Sequence, residues 1–205
     1  MNDLLHLIFP NNCALCGNHL MKQEETICAS CEVNLPFTRL ANLEENPIQK
    51  LFWGKCQLKE AYSLLYFTKG GKVQQLMHEF KYNSNTDIGL KMGELIGNEL
   101  EKLKCTYDKI IPVPLHPKKE KTRGYNQASF IAKGISGTIN SNFDDIGLKR
   151  VLFNESQTKK DRFTRFENTD CIVDSPKSSK LKSWHTTRTF VPEITLNAIP
   201  GVVAP

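Results

Sequence analysis

No run of apolar residues in this chain approaches the ~20 needed to cross a bilayer as a helix, so no membrane insertion is expected. The opening stretch from Met1 to Pro10 is apolar (Leu4, Leu5, Leu7, Ile8, Phe9) but lacks a basic n-region and a small-residue cleavage site. It is read as a short helix docked on the domain rather than a signal peptide, which places the chain in the cytoplasm. Internal repeats are absent. A disulfide framework is also missing: of seven cysteines, Cys56, Cys105 and Cys171 are scattered and unpaired by spacing. What is present is 205 residues, enough for one α/β core and a small accessory module.

The other four cysteines do form a pattern. Cys13-Ala-Leu-Cys16 and Cys28-Ala-Ser-Cys31 are CxxC knuckles separated by eleven residues. Each knuckle lets two thiolates meet one metal, and two complete the tetrahedral sulfur cage typical of structural zinc. A redox dithiol is the alternative, although such a pair needs no second copy. Gly17 relieves the backbone where it turns after the first knuckle. A catalytic zinc would keep a position open for water; four thiolates leave none, and His19 is read as a surface residue. The metal is expected to fold a segment of roughly 40 residues that is too short for a core of its own.

Charge divides the chain. Residues 1–60 hold five Lys/Arg and seven Asp/Glu, a balance of −2, whereas residues 109–165 hold twelve and five, a balance of +7. The acidic balance of the module weighs against a zinc-knuckle reader of nucleic acid. Leu51-Phe52-Trp53 is read instead as packing the module against the main domain.

The positive excess surrounds one stretch, Lys109-Ile-Ile-Pro-Val-Pro-Leu-His-Pro-Lys-Lys-Glu-Lys-Thr-Arg-Gly-Tyr-Asn-Gln127. A buried strand is expected from Lys109 to Val113, stopped by Pro114 and Pro117. A loop with Lys118, Lys119, Lys121 and Arg123 follows, and Gly124 allows a tight turn. Asn126 then caps a helix carrying Ala128, Ile131, Ala132 and Ile135. Strand, basic loop and helix amino terminus together suit phosphate, through free N–H groups, the helix dipole and an Arg fork. A solvated basic loop in an ordinary α/β domain remains the alternative.

Elsewhere, Tyr62 to Phe67 reads as a strand followed by a turn at Lys69-Gly-Gly71. A helix follows with Val73, Leu76, Met77 and Phe80 on one face, and Lys81-Tyr82 at its end, where a cation suits the dipole. A second helix runs from about Ile88 to Leu103, with Met92, Leu95, Ile96 and Leu100 on its apolar face. Both stripes are read as core. Gly134 and Gly137 weaken the end of the helix that starts at Asn126, and Gly147 to Phe153 is a further strand candidate. The pattern is βαβ-like and favours a mostly parallel sheet.

Pro112-Val-Pro-Leu-His-Pro and Arg123-Gly-Tyr-Asn-Gln resemble the ComF/GntX family of competence-related, phosphoribosyltransferase-like proteins. The resemblance runs from Leu4 to about His185. It implies a zinc module over residues 1–57 and an incomplete type I phosphoribosyltransferase-like α/β domain over 58–168. An atypical, poorly ordered tail is expected over 169–205. A mobile loop is implied at Asn154–Asn168, where Gln157, Lys160, Arg162 and Arg165 match the family's Gln-then-basic segment. Arg123, Gln157, Arg162 and Arg165 are the catalytic candidates this implies. The expected ligand is a phosphorylated ribose or pyrophosphate, such as phosphoribosyl pyrophosphate with magnesium, and the implied process is DNA uptake in natural transformation. An adaptor beside a DNA-import helicase or single-stranded-DNA-binding proteins is the rival reading. Glutaminase chemistry is rejected, because it needs an amino-terminal Cys and the first cysteine is Cys13.

In that family a buried strand ends in two adjacent acids and a Thr-Thr-Gly turn, which hold the ribose hydroxyls and the 5′-phosphate. After Leu181-Lys-Ser-Trp-His185 this chain has Thr186-Thr-Arg188 instead, with Pro192 and Pro200 beyond. Asp174 is a lone acid, read with Ser175-Pro176 as a turn. The chain as written is therefore expected to be catalytically incompetent, with a frameshift, early stop or rearrangement as the cause and residues from about Thr186 loosely ordered. The alternative is a divergent non-catalytic member in which Thr189 to Leu196 supplies a substitute strand.

Overall fold

The structure is a computed structural model that describes residues 11–38, 47–50, 61–83, 85–104, 106–150, 173–174 and 189–190. In chain order the helices are α1 (Ala29–Val33), α2 (Pro47–Lys50), α3 (Lys72–Tyr82), α4 (Thr86–Lys102), α5 (Pro117–Arg123) and α6 (Gln127–Ile139). The strands are β1 (Lys109–Ile110), β2 (Asn142–Phe143), β3 (Lys149–Arg150), β4 (Val173–Asp174) and β5 (Thr189–Phe190). None of these helices is long and apolar enough to cross a membrane.

The periodic apolar stripes do become core. Val73, Leu76, Met77 and Phe80 of α3 are buried, as are Ile88, Met92, Leu95 and Leu100 of α4 and Ala128, Ile131, Ala132 and Ile135 of α6. Burying four such side chains per helix holds each element far more firmly than its own propensity could.

Three glycines, Gly89, Gly93 and Gly97, lie every fourth residue along α4, and all are buried. They let α6 approach backbone to backbone. A Cβ on Gly93 would overlap the Ile131 carbonyl oxygen and lie 2.8 Å from Gly134 Cα. A Cβ on Gly134 would overlap the Leu90 carbonyl oxygen and lie 2.9 Å from Gly93 Cα. Gly134 therefore does not weaken α6: the helix continues to Ile139, and the close crossing offsets the glycine's poor propensity.

β1 sits between β2 and β5 in a small parallel sheet, with Lys109 opposite both Asn142 and Thr189, and Ile110 opposite Phe143 and Phe190. The chain passes from β1 to β2 through α5 and α6, as a parallel crossover requires. Thr189–Phe190, which fall in the stretch expected to be loosely ordered from about Thr186, pair with β1. Those two residues supply the substitute partner for β1.

Other elements also differ from the sequence reading. The β1 ladder ends at Ile110; Ile111 and Pro112 are buried but unladdered, since Pro112 has no N–H to donate. Tyr62 to Phe67 forms no strand. Its one bridge, Leu65 to Phe37, is antiparallel, with Thr38 N–H donating to Leu64 O (3.0 Å) and Tyr66 N–H to Pro36 O (2.8 Å). The partner is thus the end of the cysteine module, not the parallel sheet. Asp174 is not a turn residue: it lies opposite Lys149 in the antiparallel β3–β4 pair. The rest of the strand candidate after Arg150, the amino-terminal helix before Asn11 and the Leu51-Phe52-Trp53 contact lie outside the described residues.

Candidate metal centre and basic cluster

The first knuckle rides on a tight hairpin. Cys13 N–H donates to Asn18 O (2.8 Å), Gly17 N–H donates to Cys13 O (2.9 Å), and Asn12 bridges His19. Gly17 takes φ +72°, which a side chain would strain. The second knuckle opens α1: Cys28 is its N-cap and Cys31 lies on its buried face. Glu24 braces the intervening loop, accepting from Met21 N (2.8 Å) and Ala29 N (2.7 Å).

The result brings the four sulfurs within 4.8 Å of one another, with Cys16 and Cys28 Sγ 3.7 Å apart. Four Zn–S bonds of about 2.3 Å would make a tetrahedron with edges of about 3.8 Å, so the donors fit zinc. Two backbone N–H groups already point at Cys13 Sγ, from Cys28 at 3.3 Å and Leu15 at 3.5 Å. Burial opposes a charge on Cys13, but the N–H groups of Cys28, Cys16 and Leu15 outweigh it and lower the thiol to about 6. Cys31 goes the other way: burial, hydrogen bonds to Cys16, Cys28 and Cys13, and the Cys13 charge push it up to about 12. A divalent cation at the centre removes that conflict by stabilising all four thiolates. His19 is exposed and is not among the grouped donors.

Residues 4–41 match the family described as a double zinc ribbon domain. No curated protein and no solved structure matches the chain. The ribbon match and the sulfur geometry agree: the amino-terminal cysteines form a zinc site, and its closed shell of thiolates is structural.

The ribbon shares its core with the helices, since Cys13, Leu15, Ile27, Cys31 and Leu35 cluster with Leu76, Phe80 and Ile88. Gln75 Nε2 donates to Leu15 O (3.0 Å), and Lys91 Nζ lies 3.2 Å from Glu32. Burial works against the Lys91 charge, but Glu32 and then Glu94 outweigh it and raise the pKa.

At the far end of α3 lies the second assembly. Lys118 to Arg123 form the helix α5 rather than a loop, because Pro117 is pre-set for a first helical turn and His116 Nδ1 accepts from Lys118 N (3.2 Å). Gly124 closes α5 with φ 85°. Asn126 caps α6 as expected: its Oδ1 accepts from Ala128 N (3.1 Å), while Nδ2 donates to Val113 O (3.0 Å) and ties the helix start to the chain leaving β1.

Arg123 Nη1 donates to Gln127 Oε1 (3.3 Å). Gln127 is only 4% exposed, and its Nε2 has no acceptor among the described residues. The Tyr125 hydroxyl donates to Phe80 O, its ring 5.9 Å from Phe80 and edge-on to Phe130 at 5.3 Å. Lys81 follows Phe80 in the chain, within range of the Arg123 charge. Burial first, then the Arg123 charge, hold half-buried Lys81 down to about 8. Lys119 is lowered too, by burial and then by Arg150 and Arg123.

Of the expected phosphate residues, Arg123, Gly124 and Asn126 meet at the amino end of α6, and Lys119 joins them through Arg123. Lys118 and Lys121 are exposed on α5. Gln157, Arg162 and Arg165 lie outside the described residues. Lys81, Gln127 and Arg150 were missed as members of the cluster. Gln127 lies inside the Arg123-Gly-Tyr-Asn-Gln motif, whereas the only local signal at Lys81 is its helix dipole.

Proposed function

We propose that this chain is a ComF-like protein of phosphoribosyltransferase type that binds a phosphorylated ribose or pyrophosphate at the amino end of α6, with the zinc ribbon as a structural support. One observation carries the reading: Arg123 is held by buried Gln127 at a capped helix start that Asn126 ties to the chain leaving a parallel strand. In open α/β sheets ligands gather beyond the carboxyl ends of strands, and a helix amino terminus offers N–H groups to an anion. Arg123 supplies the bidentate fork, and Lys119 adds charge without fixing geometry. Magnesium accompanies a pyrophosphate ligand in this reading, and Gln157, Arg162 and Arg165 would close over it.

The same reading makes the chain a binder rather than a transferase. No paired acids followed by Thr-Thr-Gly stand after His185. The adjacent pair Asp144-Asp145 is used elsewhere, Asp144 on Lys109 (3.2 Å) and Asp145 on Ser129 (2.8 Å). A role in DNA uptake, beside an import helicase or single-stranded-DNA-binding proteins, rests on the resemblance alone. Calorimetry of the zinc-loaded protein with pyrophosphate and Mg²⁺, then with phosphoribosyl pyrophosphate, tests it. Saturable binding without turnover is the expected result; no binding of either, or measurable phosphoribosyl transfer, would refute it.

A further inference from the structure

The four ribbon sulfurs are not equally shielded. Cys13 is 3% exposed and Cys31 7%, whereas Cys16 is exposed and Cys28 half-buried. Cys13 Sγ accepts N–H bonds from Cys28 (3.3 Å) and Leu15 (3.5 Å), which stabilise a thiolate and blunt its attack. No N–H among the described residues donates to Cys16 Sγ in that way. Gly17, Asn18 and His19, which follow it, are all exposed, so solvent reaches this sulfur freely. Its neighbour is Cys28, with the two Sγ atoms in contact at 3.7 Å.

We propose that Cys16 is an oxidation site at which a peroxide converts the zinc ribbon into a form closed by a Cys16–Cys28 disulfide. The Cys16 thiolate attacks the peroxide; an S–O bond forms as the O–O bond breaks, leaving a sulfenic acid and one hydroxide. The Cys28 thiolate then attacks that sulfur, the S–S bond forms and a second hydroxide departs. Two thiolates have given up two electrons and one peroxide has taken them. Cys13 and Cys31 remain as thiols, and two sulfurs no longer make the closed shell that keeps a structural zinc in place. A dithiol reductant reverses the change by exchange, its own sulfurs becoming the disulfide. The bond runs between the knuckles, whereas a redox CxxC pair would close within one. Its effect reaches beyond the ribbon. Leu15, between the two cysteines of the first knuckle, accepts from Gln75 Nε2 (3.0 Å) and shares a core with Leu76 and Phe80, so losing the cage loosens α3. The proposal rests on the zinc site and is independent of the anion reading.

The test treats the zinc-loaded full chain with graded hydrogen peroxide. Zinc release is followed with a colorimetric chelator, and thiols are alkylated in denaturant before peptide mapping by mass spectrometry. About one zinc is expected to leave per Cys16–Cys28 disulfide, with Cys13 and Cys31 recovered as alkylated thiols. Dithiothreitol with Zn²⁺ should restore the metal. Cys16→His keeps a zinc ligand without the oxidisable sulfur, and should release zinc about tenfold more slowly. Hydrogen exchange in α3 should quicken on oxidation and recover on reduction; unchanged exchange overturns the link to α3. A first disulfide within either knuckle, zinc loss while Cys16 stays reduced, or a zinc-loaded Cys16→His that releases as fast as wild type overturns the oxidation site itself.

Discussion

Around Cys13 four thiols lie within 4.8 Å of one another, and the Arg123 charge acts on the cations Lys81 and Lys119. Each assembly gathers groups that repel when charged, and each shows it in opposite pKa displacements: Cys31 up, Lys81 and Lys119 down. The cage is built from 19 consecutive residues on one hairpin and one short helix, Cys13 to Cys31. The cluster is built from α3, α5 and the start of α6, held by the Tyr125–Phe80 clasp. A site assembled locally needs its ion to fold; a site assembled at long range needs the fold to exist first. Zinc belongs to the structure of this chain and, in the function proposed above, the anion belongs to its use.

The largest test of that contrast is metal removal. Cys13→Ser or chelation should lose about one equivalent of zinc and unfold the ribbon, since structural zinc contributes on the order of 10 kcal/mol in small domains. The shared core and the Gln75–Leu15 bond extend the damage: hydrogen exchange should quicken in α3 as well as in residues 11–38. Purified protein holding under about half an equivalent of zinc with freely reactive thiols would remove the metal from the account. Next comes Arg123→Ala, expected to cost about 1.5–3 kcal/mol of pyrophosphate binding, with Lys118→Ala costing clearly less. Equal small losses, read by calorimetry, would reduce the cluster to a basic surface.

A pH series sharpens the comparison without any ligand. Lys81 is held at about 8, below its ordinary 10.5, so between those values the unfolded chain carries more protons and wild-type stability rises with pH. The cost of its charge is fully present below about 8. The stability gap between Lys81→Met and wild type should therefore shrink as pH climbs from 7 to 10, followed by urea denaturation; a constant gap would contradict the depressed pKa. The smallest effect is expected at the seam: Glu32→Gln, which loses the contact to Lys91, should cost about 0.5 kcal/mol, as surface pairs do. A loss several times larger would make the ribbon's docking electrostatic rather than apolar.

Local chemistry was legible in the sequence and long-range placement was not. CxxC spacing announced the cage because both knuckles act within one segment. The apolar stripes of α3, α4 and α6 and the Asn126 cap follow from residues three or four apart. Lys81 escaped because the Tyr125–Phe80 contact that ties the end of α3 to the α5–α6 turn spans 45 residues. The lysines of α5 give it the composition of a loop and mask the His116-Pro117 start signal. Gly134 was read for propensity alone, when Gly89, Gly93 and Gly97 at four-residue intervals held the sign of a close helix partner. Tyr62 to Phe67 had the composition of a strand, but its partner lies in the ribbon, which no local pattern could reveal.

The crossing at Gly93 and Gly134 also sets an order in time. Elsewhere a side chain can swing aside and admit water to the backbone; where two helical backbones meet directly, none stands between them to move. The amides of Ile131 to Ile135 and their neighbours on α4 should exchange last, through opening of the whole unit. Exposed α5 should exchange early, and the clasped end of α3 between them. The chain thus comes apart from its two charged ends toward a crossing where backbone meets backbone.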